Sequence, residues 1–454
     1  MTSLAGGLGA RRPAAPAAPL PVPPRPWLDL LTGDTAADLL GAALAADGAA
    51  LESWSVRQVH ARPGAEVTVA YDVVARRGSG GAVVRAHEDL FATSAPASAF
   101  RRARGIGARG IEGRGVGGRG DRAPGPGLVR LDDGERAVHV WRHPHDPALP
   151  GLGVGSTPAR VADRLRAAGV DAPVASLETV TYRPLRRAVL RARTAAGSVY
   201  VKVVRPSRVG DLVRRHALFA ERPEGRGVAA PRVLTWSADG VVLLAEAPGV
   251  SVAARVAMTP AARQATSVDP AEILRVATGL PRAARELPRR PAWADRLGHY
   301  LADLREVHGV GAGRLDRLGR EIGAAVEAGD HGPPGVTHGD LHAANLLLDP
   351  AASAARVGTV LDVDTLGPGY LVDDLACAVA HLAVLPVLDP RAYAGAGGLV
   401  ERWLAAFDAE VDPALLRARA AAVVVSLASG AGDAAVVDAF LAVAERLAAG
   451  AAEV

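Results

Sequence analysis

One cysteine, one lysine and one asparagine stand among 454 residues. The lone Cys377 excludes a disulfide scaffold and fits a reducing, cytoplasmic setting, where it reads as a small buried core residue. No uninterrupted apolar run reaches the roughly 18 residues of a membrane span; the richest stretches, Leu375–Leu388 and Ala420–Ala428, are short or carry His and Pro, so no membrane is expected. Charge of one sign is also scarce. The net charge is +4, and Arg101–Arg122 alone holds seven Arg against Glu112 and Asp121, net +5, which leaves 4 − 5 = −1 for the rest. That Gly/Arg segment has no aromatic residue on which a base could stack, so it reads as a solvated insertion and no nucleic-acid partner is expected. What is abundant, 49% apolar and 22% charged residues, suffices for a large core and excludes a wholly disordered chain. The length favours two or more structural units.

The near-absence of Lys is informative because Arg has replaced it throughout: Lys202 is one of 52 basic residues. A surface charge tolerates that exchange, whereas a site that needs a compact ammonium does not. Lys202 and Asn345 are therefore candidates for positions where chemistry resisted a compositional bias.

Asn345 lies in Val336-Thr-His-Gly-Asp-Leu-His-Ala-Ala-Asn345-Leu-Leu-Leu-Asp349. The pattern His338-Gly-Asp340-Leu-x-x-x-Asn345 has the layout of a kinase catalytic loop, with Gly339 where protein kinases carry Arg. Downstream, Gly358-Thr-Val-Leu-Asp362-Val-Asp364 reads as an apolar strand ending in two acids, and Tyr370-Leu-Val-Asp373-Asp374-Leu-Ala376 as a helix opened by acids. Together these residues resemble the aminoglycoside phosphotransferase and choline kinase group of the protein-kinase-like superfamily, over about 40 positions. The resemblance implies Asp340 as the catalytic base, Asn345 and Asp362 as ligands of Mg²⁺, and Asp374 as a brace. Asp364 is left as a second ligand or a turn former, and His342 receives no role.

The same resemblance implies ATP as phosphoryl donor, with Lys202 on its α- and β-phosphates. Lys202 sits in the β-prone run Val199-Tyr-Val-Lys-Val-Val204 after the turn Ala196-Gly197-Ser198, as a third-strand lysine should. Its helical carboxylate partner would be Glu221, after the amphipathic Asp211–Ala220, although Pro223 ends that helix and a plain surface charge serves equally well. The hairpin of 228–249 leads to a hinge, with Glu246 structural. One feature departs from the kinase pattern: the turn Tyr182-Arg-Pro-Leu-Arg-Arg187 has no Gly to cover phosphates. Arg186 and Arg187 could touch phosphate there, but an exposed basic turn is the favoured reading.

The expected fold is α+β, a bilobal protein-kinase-like fold with a small β lobe at 151–249 and a large helical lobe at 250–454, preceded by an α+β cap. Residues 1–27 read as a disordered Ala/Pro-rich tail, too rich in Pro for a signal segment. Residues 28–150 form the cap, with a disordered Gly/Arg loop at 101–127. Val59-His-Ala-Arg-Pro63 resembles Val180-Thr-Tyr-Arg-Pro184, and each is followed by an alternating strand and later by a hairpin, so the cap is read either as a degenerate repeat of the β lobe or as an unrelated α+β module. It is broadly reminiscent of the amino-terminal cap of bacterial maltokinases. His143-Pro-His-Asp-Pro-Ala-Leu-Pro150 reads as a stiff connector.

The function expected is ATP- and Mg²⁺-dependent phosphoryl transfer to a hydroxyl of a small molecule: an aminoglycoside, a sugar, an amino alcohol or a related compound. A catalytically silent kinase-like binding module is the alternative. A protein kinase is disfavoured by Gly339 and by the lack of Asp-Phe-Gly and Ala-Pro-Glu motifs. Glu272, Asp295, Asp303 and Glu306 could line an acceptor cleft or simply be solvated helix charges. ATP against GTP and the oligomeric state are not set by these residues.

Overall fold

The computed structural model describes residues 25–61, 66–79, 82–96, 100, 128–132, 137–220, 227–257 and 268–450. Two five-stranded antiparallel sheets follow one another along the chain. The first contains β1 (Ala49–His60), β2 (Thr68–Ser79), β3 (Ala82–Thr93), β4 (Leu128–Asp132) and β5 (Ala137–Arg142) in the order β1-β2-β3-β5-β4. The second contains β6 (Val174–Arg183), β7 (Arg187–Thr194), β8 (Gly197–Val204), β9 (Val233–Trp236) and β10 (Val241–Ala245) in the order β6-β7-β8-β10-β9. The two orders are the same. Glu221 and the segment 101–127 lie outside the described residues, as do residues 1–24; the first helix begins at Arg25, inside the expected tail.

Period-two burial explains both sheets. In the first, Val69, Tyr71, Val73, Leu90, Val138 and Val140 face the helices Arg25–Thr32 and Thr35–Ala45, where Leu31, Leu40 and Leu44 cover them. The Tyr71 hydroxyl, buried under these helices, donates to the Leu31 carbonyl at 2.5 Å, because burying it unpaired would be costly. The intervening residues Ala70, Phe91 and Trp141 point the other way and cluster with Leu185 from the second sheet. In the second sheet Leu190, Val201, Val203 and Leu243 pack on Leu149, Leu152 and the helix Pro158–Ala167. On the opposite face Val242 and Leu244 meet Val209 and Leu212 of the helix Pro206–Ala220, and Lys202 shares that face by alternation.

From Val252 onward the described chain is mostly helical. Its core is the helix Leu371–Ala383, packed by Pro270–Thr278, Ala396–Phe407 and Pro413–Ser429, with Ala434–Ala448 on the last of these. Leu371–Leu388 is the one stretch among the described residues long and apolar enough to cross a bilayer, but most of it is buried inside this lobe. Two short strand pairs, β11 (Pro334–Thr337) with β14 (Gly367–Tyr370) and β12 (Leu346–Leu348) with β13 (Val357–Val360), set the loop between β11 and β12. The lobes join where Leu348 N donates to Val250 O at 2.9 Å and Ala229 N to Gly358 O at 2.8 Å. Gly249 is required at this hinge: its φ is +106°, and a Cβ there would lie 2.0 Å from the Leu348 carbonyl.

Candidate active site

The loop after β11 carries His338-Gly-Asp340, and its shape is set from below. Asp374, in the first turn of the core helix, accepts the His338 amide at 2.7 Å and the Gly339 amide at 2.8 Å. Burial raises the Asp374 carboxyl to about 7, against the pull of those two amides. Gly339 adopts φ +78°, and a Cβ there would press on Thr365, whose hydroxyl donates to the His338 carbonyl at 2.8 Å. Trp293 Nε1 donates to the Gly339 carbonyl at 3.2 Å. The buried His338 ring reaches sideways to the Leu361 carbonyl at 2.9 Å, tying this loop to the end of β13. Asn345, in the turn Ala343–Asn345, donates from its amide to the Asp340 carbonyl at 3.0 Å. The half-buried Asp340 side chain then faces His342 Nε2 at 3.9 Å and Cys377 Sγ at 4.0 Å.

Opposite stands a knot of four charges. Lys202 Nζ lies 2.7 Å from Asp362 Oδ1 and 2.5 Å from Asp364 Oδ1, and Arg187 lies 3.1 Å from Asp362 and 3.3 Å from Asp364. Burial would raise the Asp362 carboxyl, but Lys202 and then Arg187 outweigh it and hold it well below the usual carboxylate range. Burial would likewise discharge Lys202, yet Asp364 and Asp362 keep its ammonium charged. Asp362 sits in the left-handed region, φ +53° and ψ +52°, an unusual conformation for a residue with a side chain. Such a backbone turns two carboxylates spaced two residues apart onto the same pair of cations.

The turn that supplies Arg187 is held by the cap. Leu185, at φ +62°, donates its amide to Asp146 Oδ2 at 2.7 Å, and the Tyr182 hydroxyl donates to the same oxygen at 2.7 Å. Trp141 Nε1 reaches the Tyr182 hydroxyl at 3.3 Å, and Ala148 N donates to Asp146 Oδ1 at 2.8 Å. Asp146 is 3% exposed; burial pushes its carboxyl up while the Leu185, Tyr182 and Ala148 donors pull it down. Phe91 stacks on Trp141 at 5.6 Å and meets Tyr182 edge-on at 5.1 Å, closing an apolar wall over these bonds. On the far side Arg205 Nε donates to the Leu185 carbonyl at 2.6 Å.

The structure thus brings Lys202, Asp362, Asp340 and Asn345 to the same cleft, and corrects two expectations. Arg187 is not an exposed turn residue: it joins the charge knot, while Arg186 pairs outward with Glu66 at 3.5 Å. The connector 143–150 is not merely stiff, since it carries Asp146, which no sequence pattern singled out. Its one local signal was an acid among prolines and apolar residues. Glu221 lies outside the described residues; on the buried face of Pro206–Ala220 it is His216 whose charge state feels Lys202, with its Nδ1 donating to the Pro231 carbonyl at 2.8 Å. The anions that Lys202 meets are Asp362 and Asp364. Of the four acids considered for an acceptor cleft, Glu272 is committed to Arg275 and the Val357 amide, and Asp295 to Arg289 and the Ala292 amide. Asp303 is buried and Glu306 exposed.

Residues 185–410 match the sequence profile of the phosphotransferase enzyme family. This part of the chain belongs to that family. The protein is accordingly a small-molecule kinase, a phosphotransferase with a hydroxyl acceptor. Among solved structures, the macrolide 2'-phosphotransferase of Brachybacterium faecium matches at 20% identity, over 63% of this chain and 97% of that one, with a TM-score of 0.33. A choline/ethanolamine kinase family protein of Mesorhizobium loti matches at 17% identity, over 64% and 94%, with a TM-score of 0.41. An aminoglycoside phosphotransferase solved with ADP and hygromycin B matches at 12% identity, over 65% and 98%, with a TM-score of 0.45. No curated protein matches the chain.

Proposed function

We propose that this phosphotransferase moves the γ-phosphate of ATP to a hydroxyl of a small molecule, with Mg²⁺ as cofactor. The observation that carries the reading is the convergence of Lys202, Arg187, Asp362 and Asp364 within hydrogen-bonding distance, across the cleft from Asp340. Two carboxylates gathered on two cations are the charge pattern that a nucleotide triphosphate with its metal would exchange into: the phosphates take the cations and the metal takes the carboxylates. The donor set fits Mg²⁺, a hard cation that prefers oxygen: Asp362 and Asp364 carboxylates with the amide oxygen of Asn345. When bound, the ion would neutralise charge on the transferring phosphoryl group.

The remaining work falls to this chain's own side chains. Lys202 and Arg187 hold phosphate oxygens; Arg, planar and forked, can take two at once. Asp340 accepts the proton of the acceptor hydroxyl or orients it, and Asn345 fixes the loop by its bond to the Asp340 carbonyl. The turn without glycine is a workable phosphate cover because Asp146 fixes its amide and its backbone angle from the cap side. Residues 28–150 are proposed to be a degenerate copy of the β lobe, on the strength of the shared strand order.

The test is transfer from γ-labelled ATP across a panel of hydroxylated acceptors. Asp340→Asn should retain nucleotide affinity and lose about a hundredfold to ten-thousandfold in transfer. Transfer by Asp340→Asn at the wild-type rate to an identified acceptor would remove Asp340 as the base.

A further inference from the structure

The lone thiol of the chain lies beside the residue assigned as base. Cys377 and His381 are four residues apart on the core helix, hence on one face and one turn apart. A carboxylate oxygen of Asp340, Cys377 Sγ and a ring nitrogen of His381 all lie within 4.8 Å of one another. Cys377 is 1% exposed, and its thiol lies 4.0 Å from Asp340 Oδ1, a weak contact for a thiol. The partly exposed His381 ring has no hydrogen-bond partner among the described residues and stacks in parallel on His342, centroids 4.2 Å apart. An imidazole with no hydrogen-bond partner among the described residues, set beside a thiol and a carboxylate, offers a ring nitrogen free to bind a ligand.

We propose that Cys377, His381 and Asp340 form a zinc site whose occupation takes the Asp340 carboxylate out of use. Sulfur, nitrogen and oxygen in a three-residue set with the fourth position open is a donor combination for Zn²⁺, with bonds of about 2.3 Å to sulfur and about 2.0 Å to nitrogen. Reaching those lengths needs the three side chains to close by about 1 Å. Binding forms a zinc–sulfur bond and releases the thiol proton to solvent. No oxidation state changes. Mg²⁺ would not compete here, because a hard ion prefers the all-oxygen donors of Asp362, Asp364 and Asn345. The inhibitory half rests on the reading of Asp340 as base; the binding half does not.

Co²⁺ serves as the spectroscopic stand-in for Zn²⁺. Titrated into the reduced full-length protein, it should give a thiolate-to-cobalt charge-transfer band saturating at one ion per chain. The band should vanish in Cys377→Ser, need at least tenfold more metal in His381→Ala, and be abolished by added Zn²⁺. Calorimetric binding of Mg·ATP, unchanged in Cys377→Ser and in a second variant Cys377→Ala, shows that the variants fold. Zn²⁺ should stop wild-type turnover at concentrations at least tenfold below those needed for Cys377→Ser. A wild-type titration without the band overturns the site and leaves Asp340 as base untouched. A saturating band with undiminished turnover overturns the inhibitory half and, with it, the role of Asp340.

Discussion

Two sheets of identical strand order sit in tandem, and they differ most at one rung. In the second sheet the central strand places Lys202 between Val189 and Val242; in the first, Thr93 lies between Thr68 and His139. The correspondence is supported by spacing, since Thr68 and Val189 each follow an Arg-Pro pair by five residues. Thr93 is satisfied inside its own sheet, its hydroxyl 2.8 Å from that of Thr68 and 3.1 Å from the Val67 carbonyl. Lys202 has no such internal partner and must find anions from another part of the chain, which it does at Asp362 and Asp364. A buried polar group thus either closes its sheet or commits it to a partner. The first sheet is free to use the face that carries Thr93 as a clamp, through Phe91, Trp141 and the connector's Asp146, on the turn that carries Arg187.

The sharpest test of that contrast exchanges the rung residues. Lys202→Met should cut phosphoryl transfer by about a hundredfold to a thousandfold with the fold intact, read as kcat/KM, while Thr93→Val should leave nucleotide affinity where it was. Equal loss of affinity in both variants would end the distinction between the sheets. Next comes the clamp. Asp146→Ala strands three donors, the Leu185 and Ala148 amides and the Tyr182 hydroxyl, and should cost about 3 to 5 kcal/mol of stability by denaturant unfolding. It should also raise KM for ATP about tenfold and leave KM for the acceptor unchanged, a split that mere loss of stability would not give.

A smaller effect is read against pH. Burial, assisted by the Lys202 charge, lowers His216 to about 4, whereas the unfolded ring titrates near 6.5. The unfolded chain therefore binds the proton first as pH falls. Stability from neutral His216 is complete above about pH 6.5 and is lost on the way down to about 4, on the order of 3 kcal/mol. Unfolding free energies at pH 7 and pH 4.5 should converge in His216→Gln; an unchanged slope would mean that His216 is already charged in the fold. The mildest change, Trp141→Phe, removes the donor to the Tyr182 hydroxyl and should cost about 1 kcal/mol without altering kcat. A kcat falling in step with that loss would mean that the clamp reaches chemistry directly.

The loop of Asp340 and Asn345, the acids after β13 and the strand bearing Lys202 were legible in the sequence because each is a local pattern: fixed spacings around Asp340, Asn345, Asp362 and Lys202. Arg187 and Asp146 were not, because their roles depend on contacts across 175 and 39 residues of chain. A turn without glycine looked like a departure from a kinase. The strain that glycine would relieve is instead borne by Leu185 at φ +62° under the Asp146 clamp. The strand order that the cap shares with the second sheet was hinted at by one Arg-Pro match, but strand order is a property of pairing that residue types alone do not report. Cys377 was correctly expected to be buried, and its position beside Asp340 followed only from the packing of the core helix under the loop.

The central claim, that the charge knot is a nucleotide–metal site at rest, is tested most directly by calorimetric titration of ATP with and without Mg²⁺, on the wild type and on Asp362→Ala. The account predicts Mg²⁺-dependent binding in the wild type that is lost in the variant. Failure of the wild type to bind ATP or GTP under either condition, or Mg²⁺-dependent binding undiminished in Asp362→Ala, would contradict it.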